Sequence, residues 1–425
     1  MRNQLEDHSD SLNDKIVSHM VPKDKLINKL GRQWTPIHHL QLTRRTTVMK
    51  VLPHNARVDF KYCDYLSRMN EMVRSREAVG DNIVGVAVVG LGRIGTIHFE
   101  GLYRNPRATV LYCIEESYER RVAVSSKWHL TNSPCNMRGV QGFQEALDDP
   151  RVHAVFICTP TFTHKSLTMR ALEAGKAVFC EKPVAEDYDT IAQCYSLAKT
   201  KNVPLFCAFN RRFDPGLSDI CRRVRAGEVG QVNVVKTCSR DSPVPPVEYL
   251  RTSGGIFHDC AVHDLDLICW VIGEYPNKVS SFATLLNPNL KELDDFDTVQ
   301  IALHFPSGII GAIDLSRNSS YGYDQRLEVF GSQGLLSCGN MKPTAVVHES
   351  DTGAHAQPMW YSFASRYERA YKEELDYFLD VLSNNEIETL VTKNQTLAIT
   401  KIASACEESA RKGKVINLEW DNAEL

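Results

Sequence analysis

The sequence predicts an α/β protein in two parts: a doubly wound parallel sheet, then an α+β region built on a large, open and mostly antiparallel sheet. Two observations predict this division. From residue 83 onward, short apolar runs without polar alternation take turns with amphipathic segments, as parallel strands do when helices cover both faces of their sheet. After about residue 230, strand-like runs follow one another with little helix between them, which is typical of antiparallel sheets.

The first part alternates strands and helices in the order expected for parallel pairing. The predicted strands are, in chain order, "IVGVAVVG", "TVLYCIE", "AVFICTP", "AVFCEKP" and "PLFCAFN". The predicted helices are "RIGTIHFEGLYRN", "SYERRVAVSSKW", "FQEALDDP", "HKSLTMRALEAG" and "DTIAQCYSLAKTK". We assign residues 83–207 to this first domain.

The second part, residues 208–425, is predicted to contain one sheet and a few helices. Its predicted strands are "QVNVVKTCS", "KVSSFATLL", "TVQIALHF", "IIGAIDLSRN", "QRLEVFGSQGLLSCG" and "TAVVHE". An apolar helix, "FHDCAVHDLDLICWVIG", interrupts the strands, and two helices close the chain, "FASRYERAYKEELDYFLDVLS" and "NQTLAITKIASACEESARKG". A large open sheet favours contacts between copies of the chain, so we expect a homo-oligomer, a dimer or a tetramer.

Residues 1–82 lack this rhythm and hold more Lys and Arg than Asp and Glu. This composition predicts a partly disordered N-terminal extension. Two alternatives stay open. One is a targeting or partner-binding tail, and the other is a gene model that begins too early, with Met49, Met69 and Met72 as internal starts.

The bulk composition excludes several classes of protein. The net charge of −3 gives no sign of a nucleic-acid partner, and no apolar run reaches the roughly 18 residues that span a bilayer. The 13 cysteines are scattered and form no Cys-x-x-Cys pair, which predicts reduced, buried thiols and no metal site. The polar, acidic start of the chain resembles neither a signal peptide nor a mitochondrial presequence. We therefore expect a cytoplasmic protein.

A glycine pattern, Gly90-x-Gly92-x-x-Gly95, lies between the first strand and the first helix. In the dinucleotide fingerprint, the first glycine permits a tight turn, the second lets the backbone approach the pyrophosphate, and the third lets the helix pack on the strand. Arg93 and Ile94 lie inside the pattern, where the helix N terminus offers N–H groups to phosphate. The segment predicts a Rossmann domain, against the alternative of a bare glycine turn.

The second strand ends in an acid, Glu115, at the distance from Gly95 where a carboxylate binds the hydroxyls of the adenosine ribose. A carboxylate there repels the 2′-phosphate of NADP, so we predict NAD as the cofactor. Arg120 and Arg121 follow closely and could weaken that preference.

A Glu-Lys-Pro sequence, with Glu181 and Lys182, lies at the carboxyl end of a predicted parallel strand. Ligands bind at that edge of an open α/β sheet. Lys182 is therefore either a solvated cation at a strand end or a donor in an active site. Glu181 is predicted to lie beside the cofactor.

Asp259 and His263 are four residues apart in the apolar helix, which would place both on one face. A histidine titrates near neutrality and can accept a proton, and an aspartate beside it can fix its tautomer or share its charge. The alternative is a core histidine beside helical acids. His258 and His263 are five residues apart, so the spacing does not favour a metal pair.

Taken together, these segments resemble the glucose–fructose oxidoreductase/inositol dehydrogenase family (Gfo/Idh/MocA) over roughly residues 83–420. The resemblance is carried by "VVGLGRIGTIH", "FICTPTFTHKSLTMRALEAGKAVFCEKP", "FNRRFDPG" and "GGIFHDCAVHDLDLICWVIGE". Within the family the chain is most similar to the inositol 2-dehydrogenase branch, through "SRDSPVPPVEYLRTSGGIFHD" and "DLSRNSSYGYDQRLEVFGSQGLL". It implies a Rossmann domain, an oligomerising second domain, and oxidation of myo-inositol by NAD.

The resemblance also implies roles for individual residues. Lys182 would hydrogen-bond the reacting hydroxyl, His263 would be the base, and Asp259 would be its partner. Asp241 and Tyr323 would contact substrate.

Around the cofactor, the resemblance places Thr159, Pro160 and His164 in a loop beside the ribose and nicotinamide, with Arg211 near cofactor and substrate. Phe162 departs from the family pattern, where a polar residue, often Asn, is expected.

The chemistry of the residues agrees with a dehydrogenase, because an alcohol that loses a hydride must also lose its hydroxyl proton. A neutral His263 can take that proton, and the Lys182 ammonium can stabilise the developing alkoxide. We therefore predict NAD-dependent oxidation of a cyclic polyol, myo-inositol to scyllo-inosose. The alternatives are another polyol or sugar as substrate, and a catalytically silent NAD-binding regulator.

Overall fold

The computed structural model describes residues 83–421. The predicted N-terminal extension, with the three methionines named as internal starts, lies outside the described residues, so that prediction is untested. Within the described range, no helix is both long and apolar enough to cross a membrane. All 12 cysteines in that range carry free thiols, and most of them are buried, as the sequence predicts.

The first sheet of the described chain has six parallel strands in the order β3-β2-β1-β4-β5-β6. The strands are β1 (Val84–Val89), β2 (Ala108–Ile114), β3 (Asn136–Arg138), β4 (Ala154–Ile157), β5 (Ala177–Glu181) and β6 (Leu205–Ala208). This is the doubly wound Rossmann order, whose direction reverses between β1 and β4. All but the short β3 were predicted.

The helices around this sheet are α1 (Arg93–Tyr103), α2 (Tyr118–Lys127), α3 (Gly142–Asp148), α4 (Thr161–Glu173) and α5 (Tyr188–Lys201). Local sequence fixes where several of them begin. The Ser117 side chain accepts a hydrogen bond from the backbone N–H of Arg120, and Asp187 accepts one from Thr190. Such caps satisfy N–H groups that a helix start leaves unpaired.

The second sheet has seven strands in the described range, in the order β12-β11-β7-β10-β9-β8-β15. Its strands are β7 (Val232–Arg240), β8 (Lys278–Thr284), β9 (Thr298–His304), β10 (Ile310–Ser316), β11 (Asp324–Gly331), β12 (Gly334–Cys338) and β15 (Ile416–Asn417). Only β7 and β10 pair in parallel, so the prediction of a mostly antiparallel sheet is confirmed.

Two strand predictions need correction. The segment "QRLEVFGSQGLLSCG" is a hairpin of β11 and β12 rather than one strand, because the chain turns between Gly331 and Gly334. The segment "TAVVHE" does not join the large sheet. Its end forms β13 (Val347–Ser350), which pairs only with β14 (Gly353–Ala356) in an exposed two-stranded sheet.

The described part of the chain that follows the first sheet also contains α-helices. They are α6 (Pro215–Arg225), α7 (Val247–Leu250), α8 (Val262–Ile272), α9 (Phe363–Arg366), α10 (Glu368–Ser383) and α11 (Lys393–Lys412). The predicted single helix over "FASRYERAYKEELDYFLDVLS" is divided at Tyr367 into α9 and α10. A capping box of Thr392 and Gln395 begins α11.

Helix α10 belongs by sequence to the second part but packs on the first sheet. The Phe378 ring lies 5.6 Å from those of Phe156 and Phe179 and 5.9 Å from that of Phe206, measured between centroids. All four side chains are fully buried. The predicted boundary between residues 207 and 208 therefore divides the chain only by sequence order. The side chains of the two parts pack in one apolar core.

Helix α10 also buries a carboxyl group, Glu374, beneath the first sheet. Its two oxygens have no hydrogen-bond partner in the described range. Burial, and then the negative charge of Glu181, raise the pKa of Glu374 well above its usual value. The folded protein therefore keeps this carboxyl protonated where the unfolded chain ionises it.

We expect Glu374→Gln to stabilise the protein increasingly as pH rises above about 4.5. The folded pKa of Glu374 is raised, so the wild type loses stability as pH increases, and glutamine removes that loss. Urea unfolding should show a gain of about 1 kcal/mol or more at pH 8 and little gain at pH 4. The exposed Glu388→Gln is the control. An equal effect of Glu374→Gln at both pH values would contradict a protonated Glu374.

Candidate active site

A cleft of about 790 Å³ opens at the carboxyl ends of the strands of the first sheet and extends to the second sheet. That edge is where open α/β sheets bind ligands. Every site residue predicted from the sequence lines this cleft except Gly95, which packs behind it. Chain topology thus brings together residues that are far apart in sequence.

The glycine turn has the geometry that a dinucleotide requires. Gly90 has a φ of +86°, and a Cβ at Gly95 would lie 2.0 Å from the carbonyl oxygen of Gly90. A Cβ at Gly92 would meet nothing within 4 Å, so the backbone there faces open space in the cleft. Gly90 and Gly95 are needed for the turn and its packing, and Gly92 leaves room for a pyrophosphate.

Glu115 lies at the end of β2 with its carboxylate already oriented. Its Oε2 accepts a hydrogen bond of 2.7 Å from the backbone N–H of Leu91, and its Oε1 accepts bonds from Ser117 N and Arg120 Nη1. Glu115 is buried, whereas the side chain of Arg120 is half exposed. The residues at this end of the cleft therefore fit an adenosine ribose, which a fixed carboxylate can bind.

The loop after β4 is held by His164. Its Nδ1 lies 2.7 Å from the carbonyl oxygen of Pro183, and its Nε2 lies 2.8 Å from that of Thr159. This buried imidazole links the Thr159–Pro160 loop to the Glu-Lys-Pro segment. Phe162, the departure from the family pattern, is exposed at the rim of the cleft.

Glu181 lines the cleft from the end of β5. Its Oε1 lies 2.6 Å from Nε2 of His98, a buried residue of α1. The carboxylate of Glu181, a predicted cofactor residue, is thus held by a histidine of α1 that sequence reasoning did not identify.

Lys182 connects the first sheet to the segment that precedes α8. Its Nζ donates to the carbonyl oxygen of Asp259 at 2.6 Å and to Oδ1 of the same residue at 3.1 Å. An ammonium has three donors, so one remains for a ligand in the cleft. Burial alone would lower the pKa of Lys182, but the charge of Asp259 raises it above its ordinary value. Lys182 is therefore a cation and not a solvated strand end.

Asp259 is an ionised carboxylate with several donors. Tyr249 donates to Oδ1 at 2.9 Å, and Arg317 donates to Oδ2 at 3.0 Å. Burial opposes ionisation, but the charges of Lys182 and Arg317 outweigh it and hold the pKa of Asp259 well below its usual range. The carboxylate is therefore charged at neutral pH.

Asp259 acts on His263 through its charge, and the structure contains no hydrogen bond between the two side chains. Residues Phe257–Ala261 form a π-helical turn, and α8 begins only at Val262. A π turn has a wider hydrogen-bonding pattern than the α-helix assumed from the spacing. The buried Nδ1 of His263 has no partner within residues 83–421.

His263 is a neutral imidazole facing the cleft. Burial, and then the positive charges of Lys182 and Arg211, hold its pKa well below the usual value, while the charge of Asp259 opposes this. Its ring lies edge-on to Phe209 at 6.2 Å between centroids. A neutral imidazole has a free lone pair that can accept a proton, and the charge of Asp259 favours that step whereas burial and the two cations oppose it.

The other predicted polar residues also face the cleft. Arg211 is fixed by a bond of 2.9 Å from its Nη1 to Oδ1 of the buried Asp264. Burial, and then the charge of Asp259, raise the pKa of Asp241, whose carboxylate accepts a bond from the backbone N–H of Ser242. Tyr323 is buried against Tyr367, with 6.0 Å between ring centroids. These groups can form hydrogen bonds with several hydroxyls of one small ligand.

Sequence reasoning missed Tyr249 and Arg317, which hold Asp259, and Asn210, whose buried Nδ2 lacks a partner in the described range. Tyr249 and Arg317 lie in the two segments that carry the resemblance to the inositol dehydrogenase branch. No local pattern reveals that their side chains meet at one carboxylate.

Comparison with known proteins agrees with this geometry. Residues 84–209 match the model of an oxidoreductase family with an NAD-binding Rossmann fold, and residues 218–337 match the GFO/IDH/MocA C-terminal domain. Myo-inositol 2-dehydrogenase of Thermotoga maritima is 34% identical over 335 residues, 79% of this chain and 98% of that protein. The chain belongs to the Gfo/Idh/MocA oxidoreductase family.

Two further members of the family differ in the substrate that they are named for. The scyllo-inositol 2-dehydrogenase (NAD(+)) of Bacillus subtilis is 31% identical over 345 residues, 80% of this chain and 98% of that protein. The crystal structure of a myo-inositol dehydrogenase from Corynebacterium glutamicum is 30% identical, with a TM-score of 0.72 over 80% of this chain and 99% of that one. Family membership confirms the predicted fold class and NAD as cofactor.

We expect Glu115→Ala to shift cofactor preference toward NADP. The substitution removes the acceptor for the ribose hydroxyls and frees Arg120 to meet a 2′-phosphate. Loss of a charged hydrogen bond should weaken NADH binding about tenfold. Titration of cofactor fluorescence with NADH and NADPH measures both constants. The exposed Glu119→Ala, on α2, is the control. An unchanged ratio of the two constants would mean that Glu115 does not contact the ribose.

Proposed function

We propose that this chain oxidises a cyclic polyol with NAD, and that its main reaction converts myo-inositol to scyllo-inosose. One observation carries the proposal: Lys182 and His263, a cation with a free donor and a neutral base, line the same cleft as the nucleotide-binding glycine turn. A secondary alcohol needs both groups to lose a hydride and a proton.

In the proposed mechanism, the third N–H of Lys182 donates to the reacting hydroxyl and stabilises the alkoxide that develops there. His263 accepts the hydroxyl proton. Asp259 keeps Lys182 charged and in place through its two hydrogen bonds. NAD, when bound at the glycine turn, supplies the acceptor for the hydride. Asp241, Arg211 and Tyr323 would bind the remaining hydroxyls, so that one ring carbon faces the cofactor.

The same residues would serve another inositol isomer or a sugar, so the identity of the polyol rests on family membership. A silent NAD-binding regulator would be free to lose Lys182, Asp259 or His263, and this chain retains all three. The enzyme is therefore the better-supported proposal.

We also propose a homo-oligomer, a dimer or tetramer, assembled through the open face of the second sheet. Phe282, Ile310, Phe330 and Leu335 are exposed there, and strand register places Phe330 and Ile310 on either side of Val234. A cytoplasmic location stays a prediction from the sequence.

The proposed reaction predicts NAD reduction at alkaline pH by purified protein, with myo-inositol giving the highest kcat/KM among myo-inositol, scyllo-inositol and glucose. Alkaline pH favours oxidation because a proton is released. Absorbance of NADH at each substrate concentration measures the rates, with a substrate-free sample as blank. Measurable NADH binding without turnover on any of the three would move the assignment to another polyol or to the regulator.

His263→Ala and Lys182→Ala should each lower kcat by about 10²- to 10⁴-fold while leaving NADH affinity within a few-fold of wild type. Both residues act on the substrate hydroxyl rather than on the nucleotide. His258→Ala is the matched control, because it lies on the same π turn but contacts Glu407 at 3.4 Å instead of lining the cleft. Near-normal turnover in either variant would remove that residue from the mechanism.

A further inference from the structure

Arg317 lies at the end of β10, behind the wall of the cleft, and only 1% of its side chain is exposed. We propose that Arg317 is a positioning residue for the reaction: it fixes the Asp259 carboxylate and takes up part of its charge, which leaves Lys182 a stronger donor to the reacting oxygen. This inference rests on the proposed function, in which Lys182 stabilises the alkoxide.

The guanidinium of Arg317 bridges two carboxylates. Its Nη1 donates to Oδ2 of Asp259 at 3.0 Å, and its Nη2 donates to Oδ2 of Asp295 at 3.1 Å. Nη2 also lies 3.4 Å from the hydroxyl oxygen of Ser253. A planar fork with fixed donors holds both acids in one defined geometry, which the freely rotating ammonium of a lysine does not impose.

Asp295 ties this bridge to the start of the π turn. Its Oδ1 accepts a hydrogen bond of 2.9 Å from the backbone N–H of Ile256, the residue before the turn. A Cβ on Gly255, whose φ is +84°, would lie 3.2 Å from the same oxygen. Arg317 therefore reaches the catalytic turn twice, directly at Asp259 and through Asp295 at Ile256.

Each oxygen of Asp259 serves a different cation. Oδ1 accepts from Lys182 and Tyr249, and Oδ2 accepts from Arg317. One negative charge is thus shared between two buried positive charges. If Arg317 were absent, Lys182 would face the whole charge of Asp259, and its donation to an alkoxide in the cleft would weaken. The Asp259 carboxylate, no longer held by Arg317 at Oδ2, would also be able to rotate.

The test separates this role from a merely structural one with a charge-balanced double variant. Arg317→Met alone leaves the partly buried Asp295 without its cation, so lost activity could reflect lost stability. Arg317→Met/Asp295→Asn removes both charges and keeps an acceptor for Ile256. We expect it to unfold near the wild-type urea midpoint and bind NADH normally, with kcat about 100-fold lower and KM within about threefold.

Two comparisons complete the kinetic test. Arg317→Lys keeps the charge and should recover part of kcat. Arg366→Met/Asp214→Asn removes another buried ion pair, between α9 and the start of α6, and should alter stability with little change in kcat. Full recovery of kcat in the balanced Arg317 double variant would overturn the proposal.

Crystal structures of the wild type and of the balanced variant decide the role of Arg317 without any assay of activity. The proposal expects the Asp259 carboxylate to rotate and its 3.1 Å contact with Lys182 to change. An unmoved carboxylate would overturn the proposal even if kcat had fallen. A wild type that oxidises no polyol would instead refute the proposed function, and the crystal comparison would still stand.

Discussion

The Asp259 carboxylate is the charge on which the rest of the site depends. It joins a lysine at the end of a strand of the first sheet to an arginine at the end of a strand of the second. Removing one member of a buried ionic group leaves its partner uncompensated, at a cost of about 3–5 kcal/mol. The geometry of the cleft therefore rests on these few hydrogen bonds, which add to the apolar core that the two parts of the chain share.

In the proposed mechanism, the residues that form the fixed ionic group differ from the residue that accepts the proton. Lys182, Asp259 and Arg317 form a fixed ionic group, whereas His263 has no hydrogen-bond partner in the described range and stays neutral. Asp259 lies on the π turn, and its hydrogen bonds go to Lys182, Tyr249 and Arg317 and not to the imidazole. When no acid orients a histidine, the bound ligand can determine the direction from which the imidazole accepts a proton.

Sequence could predict what is encoded locally. The order of strands and helices follows from periodicity over short stretches and proved correct in the described chain, apart from the short β3 and the two corrected strands. The glycine turn and Glu115 follow from spacing over short stretches, and their part in cofactor binding stays a prediction. The π turn that carries Asp259 is not revealed by a 3.6-residue pattern. The contacts of Tyr249 and Arg317 depend on tertiary topology, and so does the packing of α10 on the first sheet.

The packing of α10 on the first sheet has a consequence for folding during translation. The first sheet is synthesised early, yet the aromatic side chain that seals one of its faces, Phe378, emerges only near the end of translation. Until Phe378 has been synthesised, the side chains of Phe156, Phe179 and Phe206 lack this apolar cover. Contacts of such long sequence separation slow folding and favour aggregation-prone intermediates. The contacts that complete the core of the first sheet can therefore form only after α10 has been synthesised.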